Sequence, residues 1–334
     1  MEYYGGLAKS EPAVRNPFEK GQAAMAAYKW DEAIGFFQEA MKHAAGTEQV
    51  ALCSLVGACH YSPGRWRQAL ESHEESARLA EQFGDKQGKA VALDNVGVIW
   101  RDRGELDKAL ESLEAALKLA REIGARREEA SALGNIGGVR LFQGEANDAV
   151  LRRFEDALKI CQEAGDRYGQ ASKLINISIV CPDDKAMEYW ERGYRLAREI
   201  GSKRLEAGAL ANKGFLLKDK AEPDQLLEYH QEALKLYREI GDKGGEAGTL
   251  ANLGGWLIRK GEHEKALGLI LAARRIGLAL DLAGLVGPGR FRWGLGKCLD
   301  AMGRDKFVAS CVKAGESRPE TEKLATELAS RTER

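Results

Sequence analysis

The sequence predicts an all-α fold, a right-handed superhelical solenoid of about eight helix-turn-helix units. Three observations predict it. A short Asn-x-Gly core recurs at a nearly fixed step, a second marker recurs in phase with it, and apolar residues within each step fall at helical spacing. The core stands at Asn95-Val96-Gly97, Asn135-Ile136-Gly137, Asn212-Lys213-Gly214 and Asn252-Leu253-Gly254, with a weaker copy at Asn176-Ile177-Ser178. Degenerate copies are Leu55-Val56-Gly57, Glu19-Lys20-Gly21 and Gly294-Leu295-Gly296. From residue 55 the successive steps are 40, 40, 41, 36, 40 and 42 residues. The second marker reads EQFGDKQGKA (81–90), REIGARREEA (121–130), QEAGDRYGQA (162–171), REIGSKRLEA (198–207) and REIGDKGGEA (238–247).

Within one unit, residues 88–102 place Leu93, Val96, Ile99 and Trp100 on a helical period. Arg103-Gly104-Glu105 breaks the chain, because glycine accepts the backbone geometry that ends a helix. A second helix follows through Leu106, Ala109, Leu110, Leu113, Ala116, Leu117 and Leu119. Gly97, Ala109 and Ala116 are small, which lets the two antiparallel helices approach closely. A single pair cannot bury its apolar face, so neighbouring pairs must stack. In order, residues 1–14 are expected to be disordered. The units span about 15–45, 47–84, 87–124, 127–165, 168–201, 204–241, 244–280 and 284–315, and residues 316–334 form a charged capping helix or tail.

The fifth unit departs from the pattern. It reads LINISIVCPDDKAMEYW (174–190), and its step is four residues short. The missing turn falls between Ile179 and Lys185, where Pro182 forbids helix continuation. A change of pitch there would divide any groove into two halves. Asp183 and Asp184 are read as caps of the following helix rather than as a metal or acid pair.

Composition narrows the function. Apolar residues make up 44% of the 334, enough for a continuous core, and charged residues 30%, with a formal net charge of −1. No basic surplus exists for general binding to nucleic acid or to an anionic membrane surface. The amino terminus has no basic stretch followed by an apolar one, and no run approaches the length that spans a bilayer. Cys53, Cys59, Cys161, Cys181, Cys298 and Cys311 share no repeated spacing, which suggests free thiols in a reducing, cytoplasmic setting.

Leu93, Val96, Gly97, Trp100, Ala109 and Ala116 match the tetratricopeptide repeat pattern of a large apolar residue, Leu, Gly, an aromatic and two Ala. With its IGD/GEA junction and NLG core, the longer unit looks most like the 40-residue repeats of the LGN/Pins and kinesin light-chain families. The resemblance covers residues 15–315. It implies a repeat solenoid, and it leaves function open because such solenoids serve many unrelated pathways.

The recurring asparagine asks for an explanation, since each costs about 0.5–0.7 kcal/mol of helix propensity relative to Ala. On a helical wheel Leu93, Val96 and Trp100 cluster, and Asn95 falls well away from them. Its stripe holds Val91, Val98 and Asp102. The equivalent stripes are Ser131, Asn135, Gly138 and Phe142; Gly208, Asn212, Phe215 and Asp219; and Gly248, Asn252, Gly255 and Arg259. Stacking places these flanks on one inner surface as a ladder. Either each amide satisfies packing, or the ladder offers paired donors and acceptors to the backbone of a bound chain. The resemblance implies the second role for Asn95, Asn135, Asn212 and Asn252, and for the weaker Asn176.

Repeats that clamp a chaperone's carboxylate tail present Lys or Arg just before and three residues after the Asn. Here those places hold Asp94 and Val98, Gly134 and Gly138, Ala211 and Phe215, and Ala251 and Gly255, which argues against such a clamp. Small and apolar groove positions instead suit an extended segment or an amphipathic helix of a protein partner, with Phe142 and Phe215 as anchors. Self-association is the rival meaning of exposed aromatics in one groove.

Enzyme signatures fail when tested. His43, His60, His73, His230 and His263 form no HExxH, and RFRWGLGKC (290–298) matches a phosphate loop only at Gly296-Lys297. The sequence therefore predicts a non-catalytic adaptor that needs no cofactor or metal. A self-assembling scaffold and a regulatory sensor of a signalling peptide are the alternatives.

Overall fold

A computed structural model describes residues 3–217, 223–280 and 288–330. After a 3-10 helix at Tyr3–Lys9 come α1 (Pro12–Ala26), α2 (Trp30–Met41), α3 (Thr47–Tyr61), α4 (Trp66–Phe83), α5 (Lys86–Arg103) and α6 (Leu106–Glu122). Then follow α7 (Arg126–Phe142), α8 (Asn147–Glu163), α9 (Arg167–Val180), α10 (Asp183–Glu199), α11 (Lys203–Leu216) and α12 (Pro223–Glu239). The series ends with α13 (Lys243–Arg259), α14 (His263–Ala279), α15 (Pro288–Met302), α16 (Arg304–Lys313) and α17 (Arg318–Ala329). The described residues contain no strand. The chain divides into two compact units, Met1–Leu205 and Glu206–Arg334.

The turn inside four of the described pairs is set by a left-handed glycine, Gly64, Gly104, Gly144 or Gly261. At Gly104 φ is +83°, and the Glu105 N–H donates to the Trp100 carbonyl (2.9 Å), closing the end of α5. Between pairs, the second sequence marker has a physical role. Asp85, Asp166 and Asp242 cap α5, α9 and α13 by accepting the N–H of Gly88 (2.8 Å), Gly169 (3.1 Å) and Gly245 (2.9 Å). Glycine is needed three residues after the cap because a Cβ at Gly88 would run into Tyr3 and Val50.

The glycine of the Asn-x-Gly core marks where the two helices of a pair come closest. A Cβ at Gly97 would lie 2.5 Å from Leu113 Cγ, and one at Gly254 would lie 2.6 Å from Ile270 Cγ1. Phe37 meets Gly21, His73 meets Gly57, Phe154 meets Gly137 and His230 meets Gly214 in the same way. In the fifth pair serine stands at the glycine's place, and Trp190, buried on α10, stands four residues after Ala186 as Leu113 stands after Ala109. Ser178 on α9 is buried, with its hydroxyl donating to the Ile175 carbonyl (2.7 Å), and Gly193 on α10 lies opposite against Leu174 and Ile175.

In the first unit the odd-numbered helices touch across pairs, α3 to α5, α5 to α7 and α7 to α9, and no even-numbered neighbours do so to a comparable extent. The odd helices therefore line the inside of that unit's curve. In α9 the helix runs 14 residues against 18 in α5, and Cys181-Pro182 separates it from α10. The side chains of Asp183 and Asp184 lie outside the described residues. In the second unit α17 packs against α15 and α16 through buried Thr321, Ala325 and Leu328, and Ser317 caps it.

One expectation is corrected. Residues 3–14 are ordered, not disordered: they form the 3-10 helix and the first turn of α1. Leu7 is 2% exposed, the Tyr3 hydroxyl donates to Asp85 Oδ2 (2.7 Å), and the Tyr4 and Ser54 hydroxyls share a hydrogen bond of 3.2 Å. A glycine-rich stretch with no helical period reads as unstructured, yet three anchoring side chains are enough once α1 and α3 supply the surface. Residues 1 and 2 lie outside the described residues.

Candidate functional site

The inner face of the first unit begins with α5. Asp94 and Asn95 are both half-buried there, one residue apart. From α7, Ser131 Oγ donates to Asp94 Oδ2 (2.7 Å), and Asn135 Nδ2 donates to both Asp94 oxygens (3.0 and 3.1 Å). The Asn135 amide nitrogen thus bonds a neighbouring helix. Asn95 and Asn176 are half-buried on α5 and α9, and Val98 is half-buried beside Asn95. Phe142, at the end of α7, is 58% exposed.

The sequence presents this face as small and apolar; in the structure it is charged. Lys173, on α9, is only 6% exposed, and its ammonium end fills the space that a side chain at Gly134 would take. Burial holds its amine below the ordinary value, against the opposing pull of the carboxylates Asp94 and Asp166. Burial likewise raises the Asp94 carboxyl, and the bonds from Asn135 and Ser131 oppose it. Farther along α5, Arg101 pairs with Asp102 (2.8 Å) and opens toward Gly138 on α7. Asp102 also accepts from the Tyr61 hydroxyl. The guanidinium of Arg204 sits 5.3 Å from the Tyr61 ring centre and donates to Ser62 Oγ (3.3 Å).

A signal for Lys173 is present in the sequence. Counting three residues back from each core Asn gives Ala92, Ala132, Ala209 and Thr249, but Lys173 in the fifth unit. A long cation at a place otherwise small needs an opening next to it, and Gly134 provides one where α5 carries Asp94.

In the second unit Asn212 and Asn252 are half-buried on α11 and α13. Arg259 is exposed, with its guanidinium 4.8 Å from the Trp256 ring centre. The side chain of Phe215 and the whole of Asp219 lie outside the described residues.

Among the described residues no three His, Cys, Asp or Glu gather as a metal site. Burial pushes Cys53, Cys161 and Cys311 up to about 11 and Cys59 and Cys298 up to about 12, so these groups are thiols. No described helix is long and apolar enough to cross a membrane.

The family model for the tetratricopeptide repeat matches residues 47–122 and 88–163. Residues 47–163 belong to the tetratricopeptide repeat family. No curated protein matches it in sequence. Solved structures share the fold of this repeat protein. The Rap conjugation gene regulator of plasmid pLS20, in complex with the Phr* peptide, aligns over 81% of this chain and 78% of its own, at 16% identity and a TM-score of 0.65. NprR in complex with its cognate peptide NprX aligns over 97% and 99%, at 14% identity and 0.57. Aspartyl phosphate phosphatase F from Bacillus subtilis aligns over 79% and 70%, at 14% identity and 0.60.

Proposed function

We propose that this repeat protein is a non-catalytic peptide receptor, and that the inner face of its first unit holds a short extended segment of a partner. The observation that carries the reading is the half-exposed line of Asn95, Asp94, Asn135 and Asn176 on adjacent odd helices, with Lys173 beneath it. Asn95 and Asn176 offer amide donors and acceptors to a ligand's backbone. Asn135, fixed by Asp94, makes the floor between them rigid. Two proteins of similar fold were solved with a peptide bound, and one of them is a gene regulator, which favours a regulatory sensor over a plain adaptor. The phosphatase of similar fold contributes its fold alone. In the second unit, Asn212, Asn252 and Arg259 would serve the same ligand class.

The test is affinity selection from a soluble random hexapeptide library, read by mass spectrometry, on the wild type and on an Asn95→Ala, Asn176→Ala variant that keeps its helical circular dichroism. A peptide subset retained by the wild type and lost by the variant supports the reading. Equal retention by both, or none by either, refutes it. The 58% exposure of Phe142 supports one alternative, self-association. A mass that grows with concentration in light scattering, and stops growing in Phe142→Ser, would favour it.

A further inference from the structure

The inner face of the first two helix pairs already holds a peptide, and that peptide belongs to the chain. On α3, Ala51, Ser54 and Leu55 are buried, whereas the equivalent Val91, Asp94 and Asn95 on α5 are half-exposed. What covers α3 is the segment Tyr3–Lys9. Leu7 joins Val14, Phe18, Ala51, Leu52 and Leu55 in one apolar cluster, and Tyr3 and Tyr4 pack against it. The Tyr3 hydroxyl reaches the α5 cap, Asp85, and the Tyr4 hydroxyl reaches Ser54, which stands at the place of Asp94 one repeat earlier. The two rings meet edge to face at 5.2 Å.

The segment is attached like a ligand. Leu7 is its one fully buried residue, and Gly5 and Gly6 are exposed with open space around them. Its anchors on the repeats are side chains, and the backbone bond that Ser10 makes to Leu7 stays within the segment itself. A stretch held at three or four points opens at far lower cost than the helices under it.

We infer that the inner face of the first two repeats is a distinct peptide site, with residues 3–9 as its resident and exchangeable occupant. The ligand class is a short peptide with two consecutive tyrosines and a leucine three residues after the second. The hydroxyls address Asp85 and Ser54, and the leucine fills the socket formed by Val14, Phe18, Ala51, Leu52 and Leu55. This site does not depend on the peptide reading of α5, α7 and α9, which lies next along the same face.

The test uses the full chain and a fluorescent synthetic peptide of residues 1–11, MEYYGGLAKSE, followed by anisotropy. Leu7→Asp in the protein expels the resident segment, and Tyr4→Ala is the milder second variant that leaves the socket residues untouched. Both should stay helical by circular dichroism and should bind the peptide at least about tenfold more tightly than the wild type, whose site is filled. A peptide carrying Leu7→Asp should not bind. Folded variants that bind no better than the wild type would overturn the proposal, as would equal binding of the Leu7→Asp peptide. Loss of helical structure in both variants would overturn it as well, because the segment would then belong to the cooperative core.

Discussion

His73 and His230 should make this protein acid-labile, and the size of the effect follows from where they sit. Each is 1% exposed and packs on the glycine of its own repeat, Gly57 or Gly214, with Nδ1 lacking a partner. Burial pushes both down from 6.5 to about 4. The folded chain keeps them neutral, and the unfolded chain protonates them near 6.5. Stability is therefore intact above that pH and is lost as the pH falls through the window from 6.5 to about 4. At 1.36 kcal/mol per pKa unit, the full loss is about 3 kcal/mol per histidine, of which about 2 kcal/mol is reached by pH 5. The perturbation is His73→Leu, chosen because Leu113 fills the same place against Gly97. Urea unfolding followed by circular dichroism at pH 7.5 and pH 5 compares the two chains. Carboxylates titrate alike in both, so the difference in pH dependence isolates the histidine. It should amount to roughly 1 M in the urea midpoint. The variant should also be the more stable at pH 7.5, since a buried nitrogen without a partner has gone. Identical shifts in the two chains would refute the argument, for they would mean that His73 is solvated or bonded in the folded state.

Gly97→Val would push Cβ into Leu113 and the Ala109 carbonyl, and should cost about 1–3 kcal/mol in chemical denaturation. Gly193→Ala should behave similarly, because its Cβ would lie 2.9 Å from Ile175 Cγ1 and 3.1 Å from the Ile175 nitrogen. Asp94→Ala removes the acceptor of Ser131 and Asn135 and leaves the Lys173 ammonium with less compensation, a loss of about 2–3 kcal/mol that thermal melts would register. Lys173→Met keeps the stem and drops the charge. It should be neutral or stabilising in the wild type, and it should recover much of the loss when combined with Asp94→Ala. Strict additivity of the two would show that they do not sense each other.

The repeat architecture is legible from spacing because it is a local property. A glycine that ends a helix, an aspartate that caps the next one and an apolar period all act within a few residues, and the chain states them many times over. The inner face is different, because there the repeats stop being copies. Asn135 looks like Asn95 in sequence, but only packing reveals that the neighbouring helix presents Asp94 to it. Lys173 is visible as an outlier, yet its meaning depends on Gly134, in a different unit. Leu55 looks like a degraded asparagine. It is apolar because the chain's own amino-terminal segment covers it, and that contact joins residues about fifty positions apart with no periodic signature. A degenerate repeat can therefore mark a covered surface instead of a decayed one.

The polarity with which paired helices mesh bears on how such a chain can change length. In the pairs named above, the first helix carries the hollow and the second carries the knob, so one helix taken from each of two such repeats would still mesh. The fifth pair keeps that polarity, with Ser178 on α9 and Trp190 on α10, but joins its helices through the shorter Cys181-Pro182 connection. Duplication or deletion can proceed in whole pairs anywhere along the array, whereas a crossover inside the fifth pair must carry that short connection with both of its helices.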